Sequence, residues 1–188
     1  MRILMLGNSL TTANYLPALV EDITGAHVVV HARGGARLAE QLNPQTRLGA
    51  LTQHALESDS WDCVVLQELS NGPIVHRPRF LNASARLCEQ VNAIGAKPIM
   101  FATWAYSPTC PKLALMGISC DEMYAQLSDA YREAAHIGKA CVADVGTAFF
   151  ERNHDASLYR PDGIHPSIEG TALAASVIAQ SIGQAARN

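Results

Sequence analysis

"RILMLGNSLTT", residues 2 to 12, runs without interruption from a stretch of strand-forming residues into a polar turn. Ile3, Leu4, Met5 and Leu6 are apolar at every position, not at alternate ones. Successive side chains of a strand point to opposite faces, so an unbroken apolar run belongs to a strand covered on both sides, as in a parallel sheet. Four more runs share this character: "HVVVHA" (27–32), "DCVVLQ" (62–67), "KPIMFATW" (97–104) and "ACVADV" (140–145). Segments with helical spacing separate them. Phe80, Ser84, Leu87, Val91 and Ile94 share one helical face, and Met123, Leu127, Tyr131, Ala134 and Ile137 share another, with Ser119 and Glu122 set as its capping box. A last stripe carries Leu173, Val177, Ile178 and Ile182. Alternating strands and helices predict an α/β chain, a three-layer α/β/α sandwich around a parallel sheet of about five strands.

The 188 residues are 48% hydrophobic, which suits one sizeable core, so residues 1–188 are expected to form a single domain. A net charge of -3 supplies no basic stripe for phosphates, which argues against nucleic acid and anionic membranes as partners and favours a small or neutral ligand. Homo-oligomerisation is left open. The five cysteines are an odd count, and Cys63 and Cys141 lie inside apolar runs that read as buried strands, so reduced thiols are expected. Cys110 and Cys120 flank a loop without CxxC or CxxxH spacing, and no metal site is expected there. The N-terminus enters polar turn residues at once, and no apolar stretch reaches about 18 residues. This pattern points to the cytoplasm, a removed leader being left open.

Ligands of such sheets bind beyond the carboxyl ends of the strands. Ser9, directly after the first run, has three readings: helix cap, phosphate cradle or nucleophile. "GNSLTT" lacks both GxGxxG and GxxxxGK[ST], which removes the cradle. In "RPDGIHPS" Asp162 and His165 share one short loop between two prolines, so one turn can hold a carboxylate against an imidazole. That pairing fixes the ring tautomer and leaves the other nitrogen to accept a serine proton. An Asx-turn is the plainer account of the same loop. His27 and His31 bracket a strand, His54 and His136 fall in helical segments with no carboxylate beside them in a loop, His76 lies in a basic, proline-containing loop as a solvent-facing residue or a substrate contact, and His154 is adjacent to Asp155, a spacing that turns side chains apart. Asp144, at a strand end, ranks behind Asp162 as the acid. Oxyanion donors are available from the Ser9 N–H, from the Gly34–Gly35 pair, with Gly35 the choice, and from the side-chain amide of Asn71 or Gln67. Trp104 and Tyr106, after the fourth run, read as a wall for substrate, a sugar ring for example, or as closure of the core.

Taken in order, these residues resemble the SGNH (GDSL-type) hydrolase superfamily, with a serine after strand one, a glycine after strand two, an asparagine after strand three and a late DxxH. "GNSLT" and "DGIHPSIEG" carry the resemblance, which spans nearly the whole chain. It implies a flavodoxin-like fold and hydrolysis of a small-molecule ester, short-chain or acetyl, an acetylated carbohydrate for example, with no cofactor and no metal. It also implies Ser9 as nucleophile, His165 as base, Asp162 as its orienter, and Ser9, Gly35 and Asn71 as the oxyanion hole. One block departs from the pattern. Where the family has Gly-x-Asn-Asp this chain reads "LQELSNGP", with Leu69 and Gly72 in the flanking positions, which keeps Gln67 beside Asn71 as the amide. A thioesterase or lysophospholipase with the same triad is one alternative, and a non-catalytic binding module that keeps the fold is the other.

Overall fold

The computed structural model describes residues 1–187. Five strands, β1 (Arg2–Gly7), β2 (His27–Ala32), β3 (Cys63–Leu66), β4 (Lys97–Ala102) and β5 (Cys141–Asp144), form one all-parallel sheet in the order β2-β1-β3-β4-β5. Every expected strand is present, though β3 and β4 end short of the apolar runs that announced them. Gln67 and Thr103 already leave the sheet to serve the loops beyond it.

Five longer helices cover the two faces: α1 (Leu16–Thr24), α2 (Arg47–Ser58), α3 (Arg77–Ala93), α4 (Cys120–Gly138) and α5 (Ile168–Ala185). The period of two along the strands divides the core cleanly. Leu4, Leu6, Val64, Leu66 and Met100 pack with Leu87, Val91, Leu127 and Tyr131 of α3 and α4. Ile3, Met5, Val65, Ile99 and Phe101 pack with Leu16 and Val20 of α1 and with Ile178 and Ile182 of α5. These strand residues are wholly buried, which is why no alternation was legible in them. The capping box opens α4 as the spacing predicts: the Ser119 hydroxyl accepts from the Glu122 N–H, and the Glu122 carboxylate accepts from the Ser119 N–H. Ile94 and Ile137, assigned to buried stripes, lie at helix ends and are exposed.

The chain reverses its order at β1, so the carboxyl ends of β1 and β3 diverge into loops that run to opposite sides, the crevice in which open α/β sheets bind ligands. One buried side chain holds that crevice. The Gln67 carbonyl oxygen accepts from the Asn8 N–H and from the Thr11 hydroxyl, both at 2.9 Å, and the Gln67 amide nitrogen donates to the Glu68 carbonyl. Gly7 makes the approach feasible, since a Cβ there would collide with the Thr11 hydroxyl and the Gln67 carbonyl. Among the described residues no helix is long and apolar enough to cross a membrane.

The expectation for Cys141 is corrected. Cys63 is buried on central β3, whereas Cys141 sits on β5, an edge strand with a neighbour on one side only, and is exposed. All five thiols are free. Burial pushes the Cys63 and Cys120 thiols up to about 11 and that of Cys88 up to about 12, so their thiolate fraction at neutral pH is minute. Iodoacetamide applied to the folded protein at neutral pH is expected to alkylate Cys141 and spare Cys63, Cys88 and Cys120, as read by peptide mass spectrometry. Replacing Gln67 by Leu strands the Asn8 N–H and the Thr11 hydroxyl without an acceptor, at about 1–3 kcal/mol for each unsatisfied group. Urea denaturation of Gln67→Leu is therefore expected to show a loss of roughly 2–6 kcal/mol, and an unchanged midpoint would refute the role given to this amide.

Candidate active site

Ser9 owes its position to its neighbour. Asn8 is extended at φ -140° and ψ -150°, and its side-chain oxygen accepts from the Leu10 N–H at 3.1 Å, capping the short turn Ser9–Thr12. The Asn8 amide nitrogen donates to the Ala36 carbonyl at 3.0 Å and ties this turn to the loop after β2. Thr11 and Thr12 donate their N–H groups back to the Asn8 carbonyl. The Ser9 N–H heads the turn and has no acceptor among the described residues.

The Ser9 hydroxyl donates to His165 Nε2 at 3.0 Å, and His165 Nδ1–H donates to Asp162 Oδ2 at 2.6 Å. The carboxylate on Nδ1 fixes the tautomer and leaves Nε2 as an acceptor. Asp162 Oδ1 accepts from the Ile164 and His165 N–H groups, both at 2.9 Å, so the carboxylate is held by the loop it organises. Partial burial raises the Asp162 carboxyl, but the hydrogen bonds from Ile164 N–H, the His165 ring and His165 N–H outweigh it, and the net shift is downward. The side chains of His165 and Asp162 remain 34% and 46% exposed, so the pair lies at the protein surface.

Three clamps hold the Asp162–His165 loop. Trp104 Nε1–H donates to the Ile164 carbonyl at 3.0 Å, and the Ser107 N–H donates to the Gly163 carbonyl at 2.8 Å. Asn14 supplies the third. Its amide nitrogen donates to the Pro166 and Ser167 carbonyls and to the Thr171 hydroxyl at 2.8–3.0 Å, while its oxygen accepts from Arg160. Asn14 adopts the left-handed conformation at φ 45°, which asparagine tolerates better than most residues. It thereby joins the segment that carries Ser9 to the one that carries His165. Sequence reasoning passed over Asn14, since nothing within "NSLTTAN" reveals partners more than 150 residues away.

The remaining sequence candidates divide. Gly35, at φ +70° in the turn after β2, faces open space, and its N–H has no acceptor among the described residues. A side chain at that φ is strained, which accounts for glycine. The neighbouring Gly34 is engaged through its carbonyl, which accepts from Arg33 at 2.8 Å. Asn71 is half-buried at the start of the turn Gly72–Val75, and its side chain makes no capping hydrogen bond. Gln67 is corrected as an oxyanion donor: it is wholly buried and its amide nitrogen is spent on Glu68. Glu68 braces the same region, accepting from the Leu38 N–H at 3.1 Å and the Leu69 N–H at 2.9 Å, with burial pushing its carboxyl up against those bonds.

Trp104 and Tyr106 are also corrected. Trp104 is 2% exposed and stacks on Phe149 with ring centroids 4.4 Å apart, so it closes the core. Tyr106 is buried too, its hydroxyl sharing a 2.9 Å hydrogen bond with the Ser70 hydroxyl. Neither presents a ring face to a ligand; both brace loops around the site. Asp144 accepts from the Thr147 N–H and hydroxyl and caps the turn Val145–Phe150, while the carboxylate on His165 is that of Asp162.

No family model and no curated protein matches the chain. Solved structures do. A protein of Slackia heliotrinireducens assigned to the SGNH hydrolases is 49% identical over 97% of this chain and 99% of that one, with a TM-score of 0.93. A DUF4886 family protein of Bacteroides uniformis is 20% identical over 98% of this chain and 83% of its own, with a TM-score of 0.74. The psychrotrophic esterase EstA of a Pseudoalteromonas species is 14% identical over 100% and 99% of the two chains, with a TM-score of 0.72, a likeness of fold. With close identity along almost its entire length to the first of these, on a five-stranded parallel sheet, the chain belongs to the SGNH hydrolase family.

Proposed function

We propose that this protein is a serine esterase that cleaves esters of short acyl groups, acetyl among them, through Ser9, His165 and Asp162. The observation that carries the reading is the unbroken chain from the Ser9 hydroxyl through the His165 ring to Asp162, at 3.0 and 2.6 Å, beside the crevice between β1 and β3. Family membership supports hydrolysis; the acyl preference rests on the surface setting of the pair.

In this reading Ser9 Oγ attacks the ester carbonyl while His165 Nε2 takes its proton, and the carbonyl electrons move onto the oxygen. Asp162 keeps the ring oriented and stabilises the imidazolium. The oxyanion meets the N–H groups of Ser9 and Gly35 and the side-chain amide of Asn71, each donor typically worth about two to three orders of magnitude in rate. Collapse of the tetrahedral species expels the alcohol, which receives the proton from His165. Water then repeats the sequence against the acyl-enzyme and releases the acid. Because Trp104 and Tyr106 are buried, the alcohol partner is left unspecified and the sugar preference has no aromatic surface behind it.

The first test is the intact mass of the folded protein after treatment with a fluorophosphonate probe, beside Ser9→Ala. One covalent adduct on the wild type and none on the variant are expected, with activity falling as the acyl chain of an ester panel lengthens. Ser9→Ala and His165→Ala are each expected to lower kcat/KM by about three orders of magnitude or more, with unfolding midpoints near that of the wild type. An unlabelled, folded wild type would overturn the esterase and favour a binding module.

The acid limb gives a second test. The folded carboxyl of Asp162 lies below its ordinary value, so its contribution to stability is present above the unfolded value and is lost as pH falls through the folded one. The stability of Asp162→Asn, measured by urea midpoints from about pH 6 to about pH 3, is expected to fall less steeply with acidification than that of the wild type.

A further inference from the structure

Away from Ser9, the turn between Phe150 and the short helix Ala156–Leu158 holds an imidazole in an unusual state. The His154 side chain is only 4% exposed and lies edge-on to the rings of Phe150 and Tyr124, with centroids 5.6 and 6.4 Å away. The Tyr159 hydroxyl donates its proton to the Ala105 carbonyl at 3.0 Å, so its oxygen is left to accept from His154 Nδ1–H at 3.2 Å. That arrangement fixes the tautomer. Nε2 therefore carries a bare lone pair, buried and without a hydrogen-bond partner among the described residues. A buried acceptor with no donor is a standing cost that native structures rarely leave uncompensated.

The lone pair is not aimed at apolar packing. Asp121 Oδ1 lies 3.9 Å from Nε2, and Cys120 Sγ completes a trio whose ligand atoms all fall within 4.8 Å of one another. Cys120 and Asp121 occupy the first turn of α4, fixed by the Ser119 cap, so two of the three groups stand on a rigid element. Tetrahedral bonds of about 2.0–2.3 Å place ligand atoms about 3.3–3.6 Å apart, so closure takes shifts of about 1 Å. The Asp121 side chain is 81% exposed and free to make its share of that movement. Cys120 and Asp121 also border a surface groove with Pro108 and Thr109, which gives an ion a route from solvent.

We propose that Cys120, Asp121 and His154 bind a divalent cation of the zinc class, with water in the fourth position. One sulfur, one imidazole nitrogen and one carboxylate oxygen suit zinc, whereas calcium and magnesium take sets made of oxygen. The Tyr159 hydroxyl on Nδ1 is the kind of outer partner that orients a ligating histidine. On binding, the thiol proton that Cys120 now donates to the Tyr106 carbonyl is released to solvent, and Sγ turns toward the imidazole. The ion clasps the start of α4 to the turn after Phe150. No ligand belongs to the Ser9–His165–Asp162 chain, so the site stands independently of the proposed esterase. The spacing conceals it, since Cys120 and Asp121 are adjacent while His154 lies far along the chain.

The test uses the untagged full chain, stripped with EDTA and titrated with Zn²⁺ by calorimetry and with Co²⁺ by absorption. One equivalent of Zn²⁺ per chain is expected, together with a rise in Tm and a thiolate-to-cobalt charge-transfer band. Cys120→Ser is expected to abolish that band and weaken Zn²⁺ binding at least tenfold, and Asp121→Asn to weaken it about tenfold. His154→Gln is expected to bind least; should it fold poorly, the other two variants carry the test, because Asp121 is exposed and serine is nearly isosteric with cysteine. Absence of saturable binding, or binding unchanged in Cys120→Ser and Asp121→Asn, overturns the proposal and leaves the lone pair to a trapped water.

Discussion

The Gln67 carbonyl oxygen accepts two hydrogen bonds from the loop that follows β1, one from the Asn8 N–H and one from the Thr11 hydroxyl, and it does so where water cannot compete. In that setting hydrogen bonds are electrostatically stronger than in water, and leaving any of these groups unpaired would be expensive. The bonds bridge β1 and β3 at the point where strand order reverses, which is where the crevice opens. Ser9 sits between the two donors, so its backbone is fixed by groups that take no part in any reaction. The glycine before them is the matching sterics, because the Thr11 and Gln67 side chains could not meet this closely past a Cβ at position 7.

The other loops attach to this anchor by backbone acceptors and donors. Asn8 reaches Ala36 after β2, Glu68 holds the N–H groups of Leu38 and Leu69, and Asn14 crosses to Pro166 and Ser167. Side chains that bind backbone carry no chemistry of their own, yet they hold Ser9 and His165 at hydrogen-bond length, the distance the proposed proton transfer needs. In the proposed esterase, positioning of this kind would lower a barrier because the entropy of alignment is lost on folding and not in each turnover.

The loop after β4 serves the same end. Trp104 stacks on Phe149 in the core and still spends its indole N–H on the Ile164 carbonyl, which makes it a buttress for the Asp162–His165 loop. An aromatic residue after a strand reads equally well as pocket wall or as core, and burial decided for core. The acid beside the imidazole is held by amide donors and not by enclosure.

The sequence by itself determined the sheet and its parallel sense, and it placed Asp162 and His165 in one short loop. Each of these is local: apolar runs without alternation mean two covered faces, and two residues three apart in one loop share a turn. The alternatives it left open all depended on depth. Gln67 and Asn71 stand four residues apart with the same amide, and only packing against Gly7 and Thr11 commits the first to structure while the second remains half-exposed. Cys63 and Cys141 lie in runs of similar composition, and the tertiary fold set one in the centre of the sheet and the other on its edge. Asn14 and His154 were invisible as partners because their contacts span long stretches of chain. Periodicity records which face a residue takes along its own element; which element lies opposite, and whether water reaches the gap, is decided when the layers close.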